Sequence, residues 1–308
     1  MFSLKNSNIY RETLPSGSYD LVIVSLVHQG PEMIYYMANN IEKYVKGSFL
    51  WIAHYNNQSP INEHTLPPWA WLVRDTVQTE PYARLKTFGI LKAVDFAIAH
   101  TTFTNCMTLS SGSAFFRTFQ VLSAPTICLE SHEKQFDPSI VLTHTEEIGI
   151  EYAGKCSQYL QSRNHHAWQY NGCDSDYEFH ALVKNRKFQW FKGCQWSGQV
   201  WPYDVAVMLS TDIGSLYESE STKERPYYAA EEIILSTYAY NYAKEHSLPI
   251  GLTEVIIDWN NSYWLPNIER IDYLLNRYIS YGHAVCKLSD NVDDPIRHYL
   301  ITKSDAAT

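Results

Sequence analysis

Residues 19–55 read YDLVIVSLVHQGPEMIYYMANNIEKYVKGSFLWIAHY. The first part, YDLVIVSLVH, is apolar on both faces and rich in Val and Ile, as a buried parallel strand is. The QGPE sequence ends that strand, and Pro31 opens a helix whose apolar positions recur at helical spacing. FLWIAHY forms a second strand. This order of strand, helix and strand predicts a parallel sheet flanked by helices.

The rest of the chain continues this alternation. WAWLVRD predicts a third strand, residues 83–100 a helix, and residues 105–116 a strand that runs into a turn of small residues. Residues 125–187 are polar and rich in His, and they predict a long, partly helical insertion. The remaining segments predict a Trp-rich strand and the start of a helix at 190–209, a helix at 225–246, a strand at TEVIIDW, a helix around IDYLLNRYIS and a last helix ending near Leu300.

Composition excludes some classes of function. The chain has 308 residues, a formal net charge of -9 and no basic stripe, so a nucleic-acid partner is not expected. Aromatic residues make up 14%, which suits stacking on sugars and bases. The six Cys are widely spaced, so we expect free thiols. No run approaches the roughly 20 apolar residues of a membrane helix, so we expect no transmembrane segment and a cytoplasmic protein.

Four segments, in order, resemble the core-2/I-branching N-acetylglucosaminyltransferase and peptide-O-xylosyltransferase family. They are LVIVSLVHQGPEMI with WIAHYNN, TLSSGSAFF, FKGCQWSGQVWPYDVAVML and AAEEIILST, and YGHAVCKL near the carboxyl end resembles a further stretch. The resemblance spans roughly residues 19–300. It implies a GT-A-like α/β fold: a Rossmann-type nucleotide-binding sheet flanked by helices, with an additional C-terminal part that binds acceptor and diphosphate. We therefore expect one domain over 1–308, with a nucleotide-binding half at 1–124 and an acceptor-binding, catalytic half at 125–308.

The resemblance also assigns roles. It implies an inverting glycosyltransferase that moves a sugar from a UDP-sugar donor to a hydroxyl of a glycan acceptor, often without a metal or other cofactor. Glu232 falls at the catalytic base, and Lys287, with Arg270 upstream of it, at the cations that stabilise the leaving diphosphate. The other matched positions are His28, His54 and Asn56 for the nucleotide, and Ser111, Gly112, Gln195, Trp196 and Glu231 for donor and acceptor.

Two alternatives stay open. Asp174 and Asp176 form a D-x-D pattern, and such carboxylates could hold a divalent metal with the nucleotide in a metal-dependent GT-A transferase. The chain could also be a non-catalytic carbohydrate-binding protein of the same fold. Trp196 and Trp201 are candidates for stacking on the acceptor sugar, whereas Trp190 is expected in the core.

Overall fold

The computed structural model describes residues 15–56, 59–74, 85–134, 141–143, 145–162, 172–217, 228–257, 284–288 and 291–303. In the first part of the chain the predicted alternation is confirmed, and Pro31 is the first residue of its helix. The elements of this part are β1 (Ser18–Val27), α1 (Pro31–Tyr44), β2 (Val45–Lys46), β3 (Phe49–Tyr55), β4 (Ala70–Val73), α2 (Leu85–His100) and β5 (Thr102–Ser110).

The second part continues with strands of two to eight residues and with further helices. Its strands are β6 (Ser113–Phe115), β7 (Phe119–Gln120), β8 (Ile127–Lys134), β9 (Val141–Thr143), β10 (Thr145–Gly149), β11 (Trp190–Cys194), β12 (Val200–Pro202), β13 (Ile250–Ile257) and β14 (Val285–Lys287). Its helices, among the described residues, are α3 (Cys156–Ser162), α4 (Tyr177–Asn185), α5 (Tyr203–Tyr217), α6 (Ala230–Glu245) and α7 (Pro295–Thr302).

One mostly parallel sheet runs through both parts of the chain. Its order is β4-β3-β1-β5-β12-β8-β13-β14-β6, and β9 pairs with β8. Strands β4, β3, β1, β5, β8, β13 and β14 run in one direction, whereas β12, β6 and β9 run against it. The protein is therefore mixed α/β, with a central sheet compatible with a Rossmann-like fold.

Helices cover both faces of this sheet. On one face, Val22, Val24 and Leu26 of β1 pack in a core with α2, α5 and α6. The alternate β1 residues, Leu21 and Ile23, face a second core that includes α1 and α7. Because successive side chains of a strand point to opposite faces, a strand covered on both sides is apolar throughout, as YDLVIVSLVH is.

One prediction about the middle of the chain was wrong, and another was incomplete. Residues 125–187 are not simply an insertion, because β8 lies inside the central sheet between β12 and β13. Its sequence, ICLESHEK, is apolar only in its first half, and its place in the sheet depends on pairing with distant strands. The strand and the helix start predicted at 190–209 are confirmed as β11 and α5, and a second strand, β12, lies between them and belongs to the central sheet.

Some predicted elements are confirmed and one is outside the described residues. The helix at 225–246 contains α6, the strand at TEVIIDW overlaps β13 at residues 253–257, and the last helix is α7. The helix expected around residues 271–280 falls outside the described ranges. Within those ranges, none of the helices has the length and apolar character needed to cross a membrane.

Candidate functional site

The strand order marks one edge of the sheet as the candidate site. Strand β1 has β3 on one side and β5 on the other, so the chain moves away from β1 in opposite directions. In open α/β sheets, ligands bind beyond the carboxyl ends of the strands at such a switch point. His28 follows β1 and Ser110 ends β5, so both lie at this edge, which we call the carboxyl edge.

A turn and a loop from distant parts of the chain meet there. The serine turn, residues 110–113, joins β5 to β6, and the Gln-Trp loop, residues 195–199, leads into β12. The Ser110 N–H donates to Ser197 Oγ at 3.0 Å, and Ser197 Oγ donates to Ser113 Oγ at 2.9 Å. Since β12 runs antiparallel to β5, its first residue lies beside the end of β5. The structure thus brings the predicted Ser111 and Gly112 next to the predicted Gln195 and Trp196.

The C-terminal part of the chain holds the other side of the serine turn. Lys287 lies opposite Ser113 in the register of β14 and β6, and the Leu288 N–H donates to Gly112 O at 2.7 Å. The guanidinium of Arg297 donates from Nη2 to Ser111 O at 2.6 Å. The backbone of Lys287 therefore lies beside the serine turn. The side chain of Lys287 and all of Arg270 lie outside the described part of the protein.

The two predicted glutamates lie in the first turn of α6. This helix leads into β13, which is parallel to β8, so the helix begins at the carboxyl edge. Glu231 and Glu232 are both buried, with 5% and 3% of their surface exposed. Lys86 Nζ, at the start of α2, lies 3.6 Å from Glu231 Oε1. Helix α2 also begins at the carboxyl edge, because it precedes the parallel strand β5. The positive end of the helix dipole stabilises negative charge in the first turn of α6.

The histidines predicted for the nucleotide occupy different environments. His28 is exposed at the end of β1. His54 is fully buried within β3, in register with Leu26 and Val73. Asn56 directly follows β3, and its N–H donates to Val27 O at 3.2 Å. His28 and Asn56 therefore lie at the carboxyl edge, whereas His54 lies inside the sheet.

The D-x-D carboxylates have structural partners. The Asp174 carboxylate accepts the Ser157 N–H at 3.2 Å. Asp176 caps α4 by accepting the Phe179 N–H at 3.0 Å, and it also accepts the Tyr228 hydroxyl at 2.6 Å. These bonds are what an N-terminal cap and a buried carboxylate need. Among the residues described, no group of three or more His, Cys, Asp or Glu is arranged to hold a metal ion.

The predicted roles of the tryptophans are partly reversed. Trp201 is fully buried in the central sheet, and Trp190 is 37% exposed. Trp201 belongs to β12, which has neighbours on both sides, so its side chain packs under α5 and α6 instead of facing a ligand. Trp196 lies in the Gln-Trp loop at the carboxyl edge, but its side chain is only 6% exposed and packs in the same core as Trp201.

The cysteines carry no nucleophile for this site. All six are free, as expected from their spacing. Burial raises the pKa of Cys106, and it raises the pKa of Cys128 and of Cys156 to about 12. Since only the thiolate is a good nucleophile, these three are inert at neutral pH.

Sequence reasoning missed three residues that hold this edge together: Ser197, Lys86 and Arg297. Ser197 directly follows the matched Gln195-Trp196 pair, so its position was a usable signal. Lys86 and Arg297 gave no signal, because their partners Glu231 and Ser111 are far away along the chain. Comparison of the chain with protein-family models and with curated proteins finds no match.

Proposed function

We propose that this protein is an inverting glycosyltransferase of the GT-A type that uses a UDP-sugar donor and a glycan acceptor and needs no metal. One observation carries the proposal. The serine turn, the Gln-Trp loop and the start of α6, which the sequence resemblance singles out separately, converge on the carboxyl edge of one mostly parallel sheet. Ligands of open α/β sheets bind at this place.

The GT-A type is supported by the division of the sheet. Strands β4, β3, β1 and β5 are adjacent and parallel, in the order 3-2-1-4 of a Rossmann sheet up to and just past its switch point. The antiparallel β12 then joins them to β8 and β13. A nucleotide-binding half that continues into a second half provides room for a donor beside an acceptor.

The proposed inverting transfer requires a general base and a positive charge near the diphosphate. In an inverting transfer the acceptor hydroxyl attacks the anomeric carbon as the bond to the nucleotide diphosphate breaks. We assign Glu232 as the group that accepts the hydroxyl proton. We assign Lys287, with Arg270, to the negative charge that grows on the departing diphosphate. The serine turn and the Gln-Trp loop contribute Ser111, Gly112, Gln195 and Trp196 to the donor and acceptor subsites.

The proposal is tested by titrating the protein with UDP-, GDP- and dTDP-sugars in a calorimeter, and by following release of the nucleoside diphosphate in excess EDTA. We expect a UDP-sugar to bind and to be hydrolysed slowly with EDTA present, and Lys287→Ala to weaken UDP binding about tenfold or more. If hydrolysis occurs only after manganese is added, the metal-independent mechanism is wrong and the metal-dependent alternative takes its place. If the protein binds glycans but none of the nucleotide sugars, it is a carbohydrate-binding protein and not a transferase.

A further inference from the structure

Arg297 is a charged side chain that is entirely inside the protein. It lies in the first turn of α7, and none of its surface is exposed. Asp294 caps this turn by accepting the Ile296 N–H at 2.9 Å, so the backbone that carries Arg297 is fixed. A buried guanidinium is stable only where its N–H groups find acceptors and its planar faces are covered.

Two of its contacts connect three elements. Nη2 donates to Ser111 O at 2.6 Å, and Cζ lies 4.8 Å from the centre of the Tyr36 ring of α1. Burial raises the pKa of the Tyr36 hydroxyl, and the Arg297 charge acts in the opposite direction, although more weakly. Arg297 therefore joins α7 and α1 to the serine turn.

Two carbonyl groups of the serine turn accept hydrogen bonds from the C-terminal part of the chain. Ser111 O accepts from Arg297, and Gly112 O accepts from the Leu288 N–H. From the opposite side, Ser197 Oγ accepts the Ser110 N–H and donates to Ser113 Oγ. The turn is thus held between the Gln-Trp loop and the C-terminal residues 284–288 and 291–303.

We propose that Arg297 is a positioning residue for the donor: it fixes the backbone of Ser111 and Gly112 in the geometry that receives the nucleotide sugar. This inference rests on the proposed function. The planar guanidinium can stack on Tyr36 while it donates in its own plane to Ser111 O. A lysine at this position has a charged ammonium group but no planar one. It therefore cannot stack on Tyr36 and donate to Ser111 O at the same time.

The test compares Arg297→Met and Arg297→Lys with Arg186→Met. Arg186 makes a two-bond ion pair with Asp212, at 2.6 Å for each bond, and joins α4 to α5 away from the serine turn. Its loss therefore controls for a general loss of stability. Two quantities are measured for each variant: hydrogen exchange of the peptide covering residues 109–116, and KM for the donor and for the acceptor.

In Arg297→Met we expect exchange of this peptide to rise about tenfold and donor KM to rise about tenfold, with acceptor KM within twofold of the original. In Arg297→Lys, hydrogen exchange and donor KM should each stay raised by more than half of the increase seen in Arg297→Met. In Arg186→Met neither quantity should rise. If Arg297→Met does not fold, Arg297→Lys carries both measurements, and we then expect intermediate increases.

Donor KM within twofold of the original, or an equal rise in acceptor KM, overturns the positioning role. Unchanged exchange at residues 109–116 overturns it as well, and that measurement needs no substrate. Failure of the proposed function gives a different result, because the unsubstituted protein then binds none of the UDP-, GDP- or dTDP-sugars. The positioning role in donor binding would fall with it.

Discussion

The side-chain amide of Asn40 forms both backbone hydrogen bonds of Phe115, as a neighbouring strand would. Asn40 Nδ2 donates to Phe115 O at 2.9 Å, and the Phe115 N–H donates to Asn40 Oδ1 at 2.8 Å. Asn40 is buried in α1, and Phe115 ends β6. A single side chain therefore satisfies the backbone N–H and C=O of Phe115, two residues after the serine turn.

Replacing Asn40 with Ala leaves both polar groups of Phe115 buried and without these bonds. Each such group costs about 1–3 kcal/mol, so we expect the free energy of unfolding to fall by about 2–4 kcal/mol. Urea unfolding measures this change. Asn62→Ala is the control, because the Asn62 side chain accepts the His64 N–H at an exposed turn, and we expect its loss to cost less than about 1 kcal/mol. Equal losses in the two variants would contradict the structural role of Asn40.

Glu232 is expected to be the base of the proposed reaction. In Glu232→Gln the shape is kept and the proton acceptor is removed, so turnover should fall by about 10² or more. Donor affinity, measured by calorimetry, should barely change. Glu231→Gln is the comparison variant and should lower turnover less than Glu232→Gln does, because Glu231 is expected to contact substrate without accepting the proton. The opposite pattern would move the base by one residue, and full turnover in both variants would remove this helix from the mechanism.

Glu231 has a structural partner in Lys86, and their coupling can be measured. We expect a double-mutant cycle with Glu231→Gln and Lys86→Met to give a coupling energy of about 0.5–1 kcal/mol. The value is small because part of Lys86 is exposed and the distance is 3.6 Å. Chemical unfolding at low and high salt provides the measurement, and the coupling should shrink at high salt. A coupling of zero at low salt would mean that the pair does not join α2 to α6.

The two roles available to Asp176 predict different outcomes. As a cap and as the acceptor of the Tyr228 hydroxyl, Asp176 should tolerate Asn better than Ala, because Asn also caps helices well. We expect Asp176→Ala to lower the free energy of unfolding by about 2–3 kcal/mol, Asp176→Asn to lower it by less, and both to keep turnover in EDTA. A metal ligand would behave differently, since Asp176→Asn would then abolish a manganese-dependent activity without loss of stability.

His180 is expected to make the free energy of unfolding fall at acidic pH. Its burial lowers its pKa, and this effect outweighs the hydrogen bond to Cys173 O and the nearby Asp176 and Asp174, which raise it. The folded state therefore binds the proton less readily than the unfolded state, whose pKa is about 6.5. Stability should be full above pH of about 6.5 and should decline as the pH falls through the folded pKa.

His180→Gln tests this dependence, because Gln can still donate to Cys173 O but does not titrate. We expect the decline in melting temperature between pH 7 and pH 5 to become shallower in this variant. The exposed His64→Gln is the control. An unchanged slope in His180→Gln would assign the acid sensitivity to other groups.

Local patterns predicted the regular part of the fold. β1, α1 and β3 follow from runs that are apolar on both faces and from Pro31, and the start of α6 follows from Glu231 and Glu232 in its first turn. These features depend on residues close together in the chain. For the same reason the serine turn was recognisable as a strand end rich in small residues.

The parts that were missed depend on long-range pairing. β8 is a central strand only because β12 and β13 lie on its two sides, and its second half, SHEK, has no apolar pattern. Arg297 resembles a surface charge in a short helix until α1 and the serine turn enclose it. A single sequence carries no local sign of such partners.

The antiparallel strand β12 has a consequence for how this chain is made. During synthesis, β5 and β8 both leave the ribosome well before β12, yet each needs β12 as its neighbour. Until then each presents an unpaired row of N–H and C=O groups, which is the kind of edge that recruits other strands. The short VWP segment pairs with three residues of β5 and with Cys128 of β8, so it joins the two strands in one step. A nascent chain stalled before residue 200 would therefore be a preferred client for chaperones that shield exposed strands.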